Sequence, residues 1–194
     1  MATSVRPTVP ATVPRRRFTV DEYYRMAEAG ILHEDDHIEL LDGEIIEMSP
    51  IGGRHAACVN CLAELFITRL AGRAIVGIQN PVHLSSGSEP EPDIALVRPR
   101  PDRYASGHPR PADIFLLVEV ADSSLTYDRD VKLIFYAEAG IPEAWIVDLN
   151  AARILVYRAP RPDGYRQMTI VGPEEALSPI AFPDLVLAAG EILG

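Results

Sequence analysis

Three residues combine type and spacing in a way that could do chemistry: Asp93, Glu119 and Lys132. The chain holds 17 arginines and one lysine, so the guanidinium is used almost everywhere that a positive charge is needed. Lysine differs as a compact charge whose pKa moves readily on burial. Lys132 comes thirteen residues after Glu119, which sits inside the apolar run Ile114–Ala121. A carboxylate there is costly to bury unless it is paired or holds a metal. Asp93 follows Pro92 and opens a second apolar run, Ile94–Val97. Mg²⁺ is a hard cation, usually held by one or two carboxylates with substrate phosphate completing the shell. If Asp93 and Glu119 lie on neighbouring strands, their Cβ atoms can approach to about 5 Å. The Val120 carbonyl then offers a third oxygen. Lys132, on the helix after the Glu119 strand, could reach back to orient or deprotonate an attacking water and to offset phosphate charge. Together these residues make a metal-plus-ammonium site for phosphodiester chemistry. The ordinary alternatives are a Glu119 paired with arginine or placed at a sheet edge, and a Lys132 solvated on a helix surface.

The elements that must position these groups can be read from pattern. Thr19 with Glu22 is a capping box for a helix that runs to about Ala29, with Gly30 as its stop. Asp42-Gly43 between apolar runs marks a hairpin over Ile38–Met48. Val59, Leu62, Phe66 and Leu70 recur near one face, which predicts an amphipathic helix from His55 to about Ala71. Strands are expected over 74–78, 82–84, 93–97, 115–120 and 144–148, and a hairpin over 154–157 and 165–171. The 115–120 run is almost wholly apolar, as in a strand covered on both faces. Residues 98–111 carry five prolines or glycines and four arginines, and read as an exposed loop. A helix is expected from about Tyr127 to Ala139, with Asp128, Arg129 and Asp130 as charges of its first turn. Phe182–Leu193 is apolar and reads as a strand or short helix.

Composition bounds the rest. The 194 residues suit one domain over 18–194, after a disordered tail over 1–17 with four arginines, three prolines and no acid. The net charge of −10 argues against a general affinity for nucleic acid, and leaves only local basic patches such as Arg98, Arg100, Arg103 and Arg110. No apolar stretch approaches the roughly 20 residues of a membrane span, so no membrane partner is expected. Two cysteines and no visible secretory signal fit a reducing, cytoplasmic setting. Cys58 and Cys61 are formally a C-x-x-C. They lack a second pair for zinc and sit within a predicted helix, so they read as packing residues.

The ordered set Pro92-Asp93, Glu119-Val120 and a lysine shifted to the next helix resembles the PD-(D/E)XK nuclease superfamily, and within it the Uma-two-like, restriction-endonuclease-like family. The matching segments are Glu39–Glu44 with Ser49-Pro50 and His55, Pro92–Ala95, Leu117–Val120 with Ser124, Thr126, Asp128 and Lys132, and Tyr136 through Gly140-Ile141 to Trp145–Asp148. The match runs over about residues 18–193. It departs from the superfamily pattern at Ala121, where a lysine is expected; Lys132 is placed to take that role. The resemblance implies an α/β fold with a central mixed β-sheet flanked by helices, preceded by an N-terminal helix and hairpin. It also implies Mg²⁺ or Mn²⁺ dependence and endonuclease activity on DNA.

Two further residues are candidates. Superfamily members often place an acid near Glu39 that touches the metal site, and here Glu39 shares a strand face with Leu41. His55, at a helix start after Gly52-Gly53-Arg54, could contact phosphate or could cap and pack. The competing function is a non-catalytic binding or scaffold module on the nuclease fold. A homodimer is expected, because enzymes of this kind that cut both strands often present two sites. The apolar stretch Leu185–Leu193 offers surface for it.

Overall fold

The computed structural model describes residues 13–33 and 35–194. The expected tail therefore falls outside the described residues over 1–12. Helix α1 (Val20–Glu28) starts at Thr19, whose hydroxyl accepts from the Glu22 N–H while the Glu22 carboxylate accepts from the Thr19 N–H. The hairpin of β1 (Ile38–Leu41) and β2 (Glu44–Glu47) turns at Asp42 and Gly43, with φ of 47° and 72°. Those two left-handed positions are the twist-matched turn that Asp-Gly favours. Helix α2 (Gly53–Leu70) is followed by β3 (Ile75–Ile78), β4 (Ile94–Val97) and β5 (Ile114–Ala121). A crossover of α3 (Leu125–Tyr127), a π turn (Asp128–Lys132) and α4 (Leu133–Glu138) leads to β6 (Glu143–Asp148). The chain ends with β7 (Arg153–Arg161), β8 (Gly164–Val171), β9 (Ala176–Leu177), β10 (Leu187–Ala188) and α5 (Ala189–Leu193).

Six strands form one mixed sheet in the order β3-β4-β5-β6-β7-β8. Only β5 and β6 run parallel, because the helical crossover between them returns the chain to the same end. The sheet is covered on both faces, which is why β5 carries no polar alternation. On one face α2 buries Val59, Leu62, Phe66 and Leu70 against Leu116, Val118, Val120 and Trp145. On the other, Leu133, Tyr136 and Ile141 pack on Leu117, Ala121 and Ile146. The expected mixed sheet flanked by helices is the fold observed. No helix among the described residues is long and apolar enough to cross a membrane.

Three expectations are corrected. Residues 82–84 are not a strand. Val82 and Leu84 are buried, but this segment opens a tight loop, closed by the Val82 N–H on the Pro90 carbonyl and the Leu84 N–H on the Ser88 carbonyl, with isolated bridges in place of a ladder. The 127–139 helix is not continuous: the π turn interrupts it, an insertion too short to show in apolar periodicity. The C-terminal stretch turns inward. Leu185, Leu187, Ala189 and Ile192 join the α2 face of the core, so most of the apolar surface expected for a dimer is buried within the chain, with Val186 left exposed. Cys58 and Cys61 are free, and their thiols donate to the Ile192 and Glu191 carbonyls.

Candidate functional site

Register places the two carboxylates. In the antiparallel pair β4–β5, Ile94 stands opposite Val118, so Asp93, one step earlier, comes opposite Glu119. Alternation puts both on the face of Ala95, Leu117 and Ala121, the side that α4 covers. Three donors hold Asp93: the Val120 N–H (2.8 Å) and His55 Nε2 (3.0 Å) at Oδ2, and Gln79 Nε2 (3.2 Å) at Oδ1. The recorded contact of Val120 with Asp93 is thus its N–H rather than its carbonyl.

Lys132 is buried at the centre of a second group. Its Nζ lies 2.8 Å from Glu119 Oε1 and 3.4 Å from Glu39 Oε2, and donates to the Glu91 carbonyl at 3.3 Å. The Tyr136 hydroxyl donates to the same Glu119 oxygen. The Tyr127 hydroxyl donates to Glu39 Oε1 at 2.7 Å, and the Glu91 N–H to Glu39 Oε2 at 3.0 Å. Glu119 Oε2 has no hydrogen-bond partner among the described residues and is not sealed from the cavity beside it.

Local structure explains how these groups meet. The hairpin carries Glu39 inward, and β1 is tied to the next segment by the bridge Leu40↔Glu89. Glu89-Pro90-Glu91-Pro92-Asp93 must run extended, since each proline fixes its own φ and bars the preceding residue from the helical region. That rod delivers the Glu91 backbone to both Lys132 and Glu39. The π turn turns Asp128 and Lys132 into the protein, where they are 4% and 3% exposed, while Arg129 and Asp130 pair with each other outside. Such turns often occur at functional sites.

All five sequence candidates, Asp93, Glu119, Lys132, Glu39 and His55, line one cavity of about 530 Å³. Seven carboxyl groups line it (Glu39, Glu47, Glu91, Asp93, Glu119, Asp122 and Asp128), with Lys132 as its single ammonium. The electrostatics follow from burial. Desolvation lifts the Glu119 carboxyl well above its ordinary range, with Lys132 opposing. For Lys132, desolvation pulls the pKa down, but Glu119, Glu39 and Asp128 outweigh it and hold the ammonium charged. Asp128 is pushed up to about 6 by burial, against the pull of Lys132 and of the Ser124 hydroxyl that donates to it at 2.6 Å. Asp128 stands in the first turn of its helical segment, as expected, and is there a buried cavity acid rather than an exposed charge. Hydrogen bonding to Asp93 raises His55, with burial opposing. His55 Nδ1 is buried with no hydrogen-bond partner among the described residues.

Tyr127, Gln79 and Glu91 belong to this constellation beside the five sequence candidates. Tyr127 and Gln79 carry no local signal, since their partners lie 88 and 14 residues away. Glu91 did carry one: its place between two prolines, two residues before Asp93. Among the described residues no three His, Cys, Asp or Glu side chains converge as a ready metal cage.

A mixed sheet flanked by helices is also the fold of a solved structure from Anabaena variabilis described as a "putative nuclease belonging to DUF820". The two superpose with a TM-score of 0.68 at 16% identity, over 91% of this chain and 97% of that one; at that identity the likeness shows the fold. The sequence matches the Uma2 family model, described as "Putative restriction endonuclease", over residues 20–190. The chain belongs to this family. No curated protein matches it.

Proposed function

We propose that the chain is a metal-dependent endonuclease that hydrolyses phosphodiester bonds of DNA, with Mg²⁺ or Mn²⁺ held by Asp93 and Glu119 and the Val120 carbonyl as a further oxygen. The carrying observation is the imbalance in the cavity, seven carboxyl groups against one ammonium. Divalent cations relieve that kind of excess. The donor set suits one: two hard oxygen groups from adjacent strands, with Glu119 Oε2 open to the cavity. Two protein carboxylates suffice where substrate phosphate supplies the remaining oxygens. When bound, the ion would neutralise phosphate charge and make water a better nucleophile. Family membership and the nuclease-named neighbour support the same reaction class.

The chain's own residues take these roles. Lys132 orients the attacking water and faces the charge that builds on phosphate. Held charged by Glu119 and Glu39, it acts by position and charge rather than as a base. Glu39, fixed by Tyr127 and by the Glu91 N–H, locates the ammonium. His55 and the Val120 N–H lock Asp93 in one orientation, and a protonated His55 adds positive charge beside the phosphate. Two free thiols support a reducing, cytoplasmic setting. A homodimer presenting two cavities to a duplex remains part of the reading, although most of the C-terminal apolar surface is buried in the chain's own core. Light scattering tests it against the 21.3 kDa monomer.

Calorimetry tests the metal reading. The wild type should bind Mn²⁺, and Glu119→Gln should bind it at least tenfold more weakly while still folding. No Mn²⁺ binding by the wild type would favour a scaffold on the nuclease fold.

A further inference from the structure

A second cavity, of about 400 Å³, opens between the start of α1 and the arginine-rich loop 98–111. No role assigned so far uses it. Behind it lies Glu89, only 4% exposed. The Tyr24 hydroxyl donates to Glu89 Oε1, and His83 Nδ1 lies 3.0 Å from Oε2. Tyr24 has one proton and gives it to Glu89, so its 2.8 Å contact with His108 Nε2 requires the imidazole to be the donor. Both tautomers follow, with His83 protonated on Nδ1 and His108 on Nε2. The opposite nitrogens, His83 Nε2 and His108 Nδ1, have no partner among the described residues and are not sealed from solvent.

Two guanidiniums complete the wall. Arg100 reaches it while also holding Asp102 at 2.8 Å. Arg110 is exposed, and its recorded hydrogen bond is through the backbone N–H, to Asp113. Its guanidinium has no carboxylate partner among the described residues. Glu89, whose oxygens face the Tyr24 hydroxyl and His83 Nδ1, and Asp21 are the acids on the wall, so the attraction for an anion comes from the two arginines. The free guanidinium of Arg110, with that of Arg100 on the same wall, matches a phosphate oxyanion, which the planar fork of arginine binds through paired hydrogen bonds; the open imidazole nitrogens carry lone pairs in these tautomers and offer it no donor. A chain of net charge −10 has no general attraction for a polyanion, so a strand must be held at local sites of this kind. The cavity also adjoins the proposed reaction site: Glu89 lines this one and Glu91 the other.

We propose that this cavity is a phosphate-docking site that grips the backbone of the nucleic-acid strand beside the carboxylate cavity, an assignment that rests on the nuclease reading. The test is fluorescence anisotropy of a labelled DNA oligonucleotide on the full chain at several salt concentrations. Arg110→Gln, at an exposed position, and Arg100→Gln should each weaken binding at least tenfold. Each should also flatten the salt dependence by about one phosphate contact and leave Mn²⁺ binding unchanged. Imidazole signals of His83 and His108 should shift with the oligonucleotide. The proposal is overturned if the wild type binds no oligonucleotide, if both variants bind as wild type does, or if inorganic phosphate shifts those signals while the oligonucleotide does not. Plasmid cleavage separates the two readings: Arg110-dependent binding without any cleavage would remove the nuclease and keep the docking site.

Discussion

Lys132 shows how far a single residue type can be read. Its solitude among arginines and its distance from Glu119 suggest a lysine reaching back over the strand end, and the structure buries it against Glu119, Glu39 and the Glu91 carbonyl. A guanidinium in that slot would be overpacked, which typically costs about 1–3 kcal/mol. It would also project its charge differently toward the water. Lys132→Arg should therefore melt at lower temperature and, by loss of one preorganised group, cleave about 100- to 1,000-fold more slowly. Thermal melts and plasmid cleavage read the two effects separately, and an unchanged rate would take Lys132 out of the chemistry. Asp128 is the counterexample. An acid in a helix's first turn reads as a partner for the dipole, and only the tertiary packing of the cavity makes it a buried acid. Its carboxyl is raised from 3.8 to about 6 in the folded chain, so between those values the folded state binds more protons than the unfolded one. Its contribution to stability is present below about pH 4 and is lost as pH rises through 6, to the extent of about 3 kcal/mol. Asp128→Asn should accordingly be more stable than wild type at pH 7 to 8 and indistinguishable near pH 4, as followed by denaturant unfolding at each pH.

At the scale of elements, the hairpin and the Pro-bounded rod position the carboxylates, and local chemistry announced the hairpin. Gly43 has φ of 72°, and a Cβ there would lie 2.6 Å from Arg17 Cβ and 2.8 Å from the Phe18 backbone. Gly43→Ala should destabilise the chain by about 1–3 kcal/mol and loosen Glu39 from Lys132, with a drop in melting temperature as the readout. A smaller drop than for alanine at an ordinary exposed position would contradict this close approach. Capping, Asp-Gly turns and apolar periodicity are short-range rules, so α1, the β1–β2 hairpin, α2 and the central strands were legible from sequence. The π turn was not, because five residues leave no periodic trace. Neither were the Tyr127–Glu39 and Gln79–Asp93 contacts, which depend on how separate elements meet. The 82–84 segment misled because burial of Val82 and Leu84 imitates a strand where the chain is a tight loop.

For the whole molecule, the same sheet that buries the core brings β4 and β5 together at the cavity, so fold and site cannot be separated. The tail shows this most plainly: Leu185, Leu187, Ala189 and Ile192 seal the α2 face. Burying each is worth about 1.5–3 kcal/mol for the larger side chains, against a total stability of about 5–15 kcal/mol for a typical domain. Truncation after Asp184 should abolish cooperative melting by circular dichroism, whereas a tail used only for dimer contact would leave a folded monomer. The central claim is that the carboxylate cavity cuts phosphodiesters with a divalent ion. It is tested most directly by Mn²⁺-dependent cleavage of supercoiled plasmid, comparing wild type with Asp93→Ala. The account predicts nicked and linear products from the wild type, none when the metal is chelated, and at least a hundredfold loss in Asp93→Ala. Equal cleavage by Asp93→Ala and wild type, or no cleavage by a wild type that binds Mn²⁺ and DNA, would contradict it.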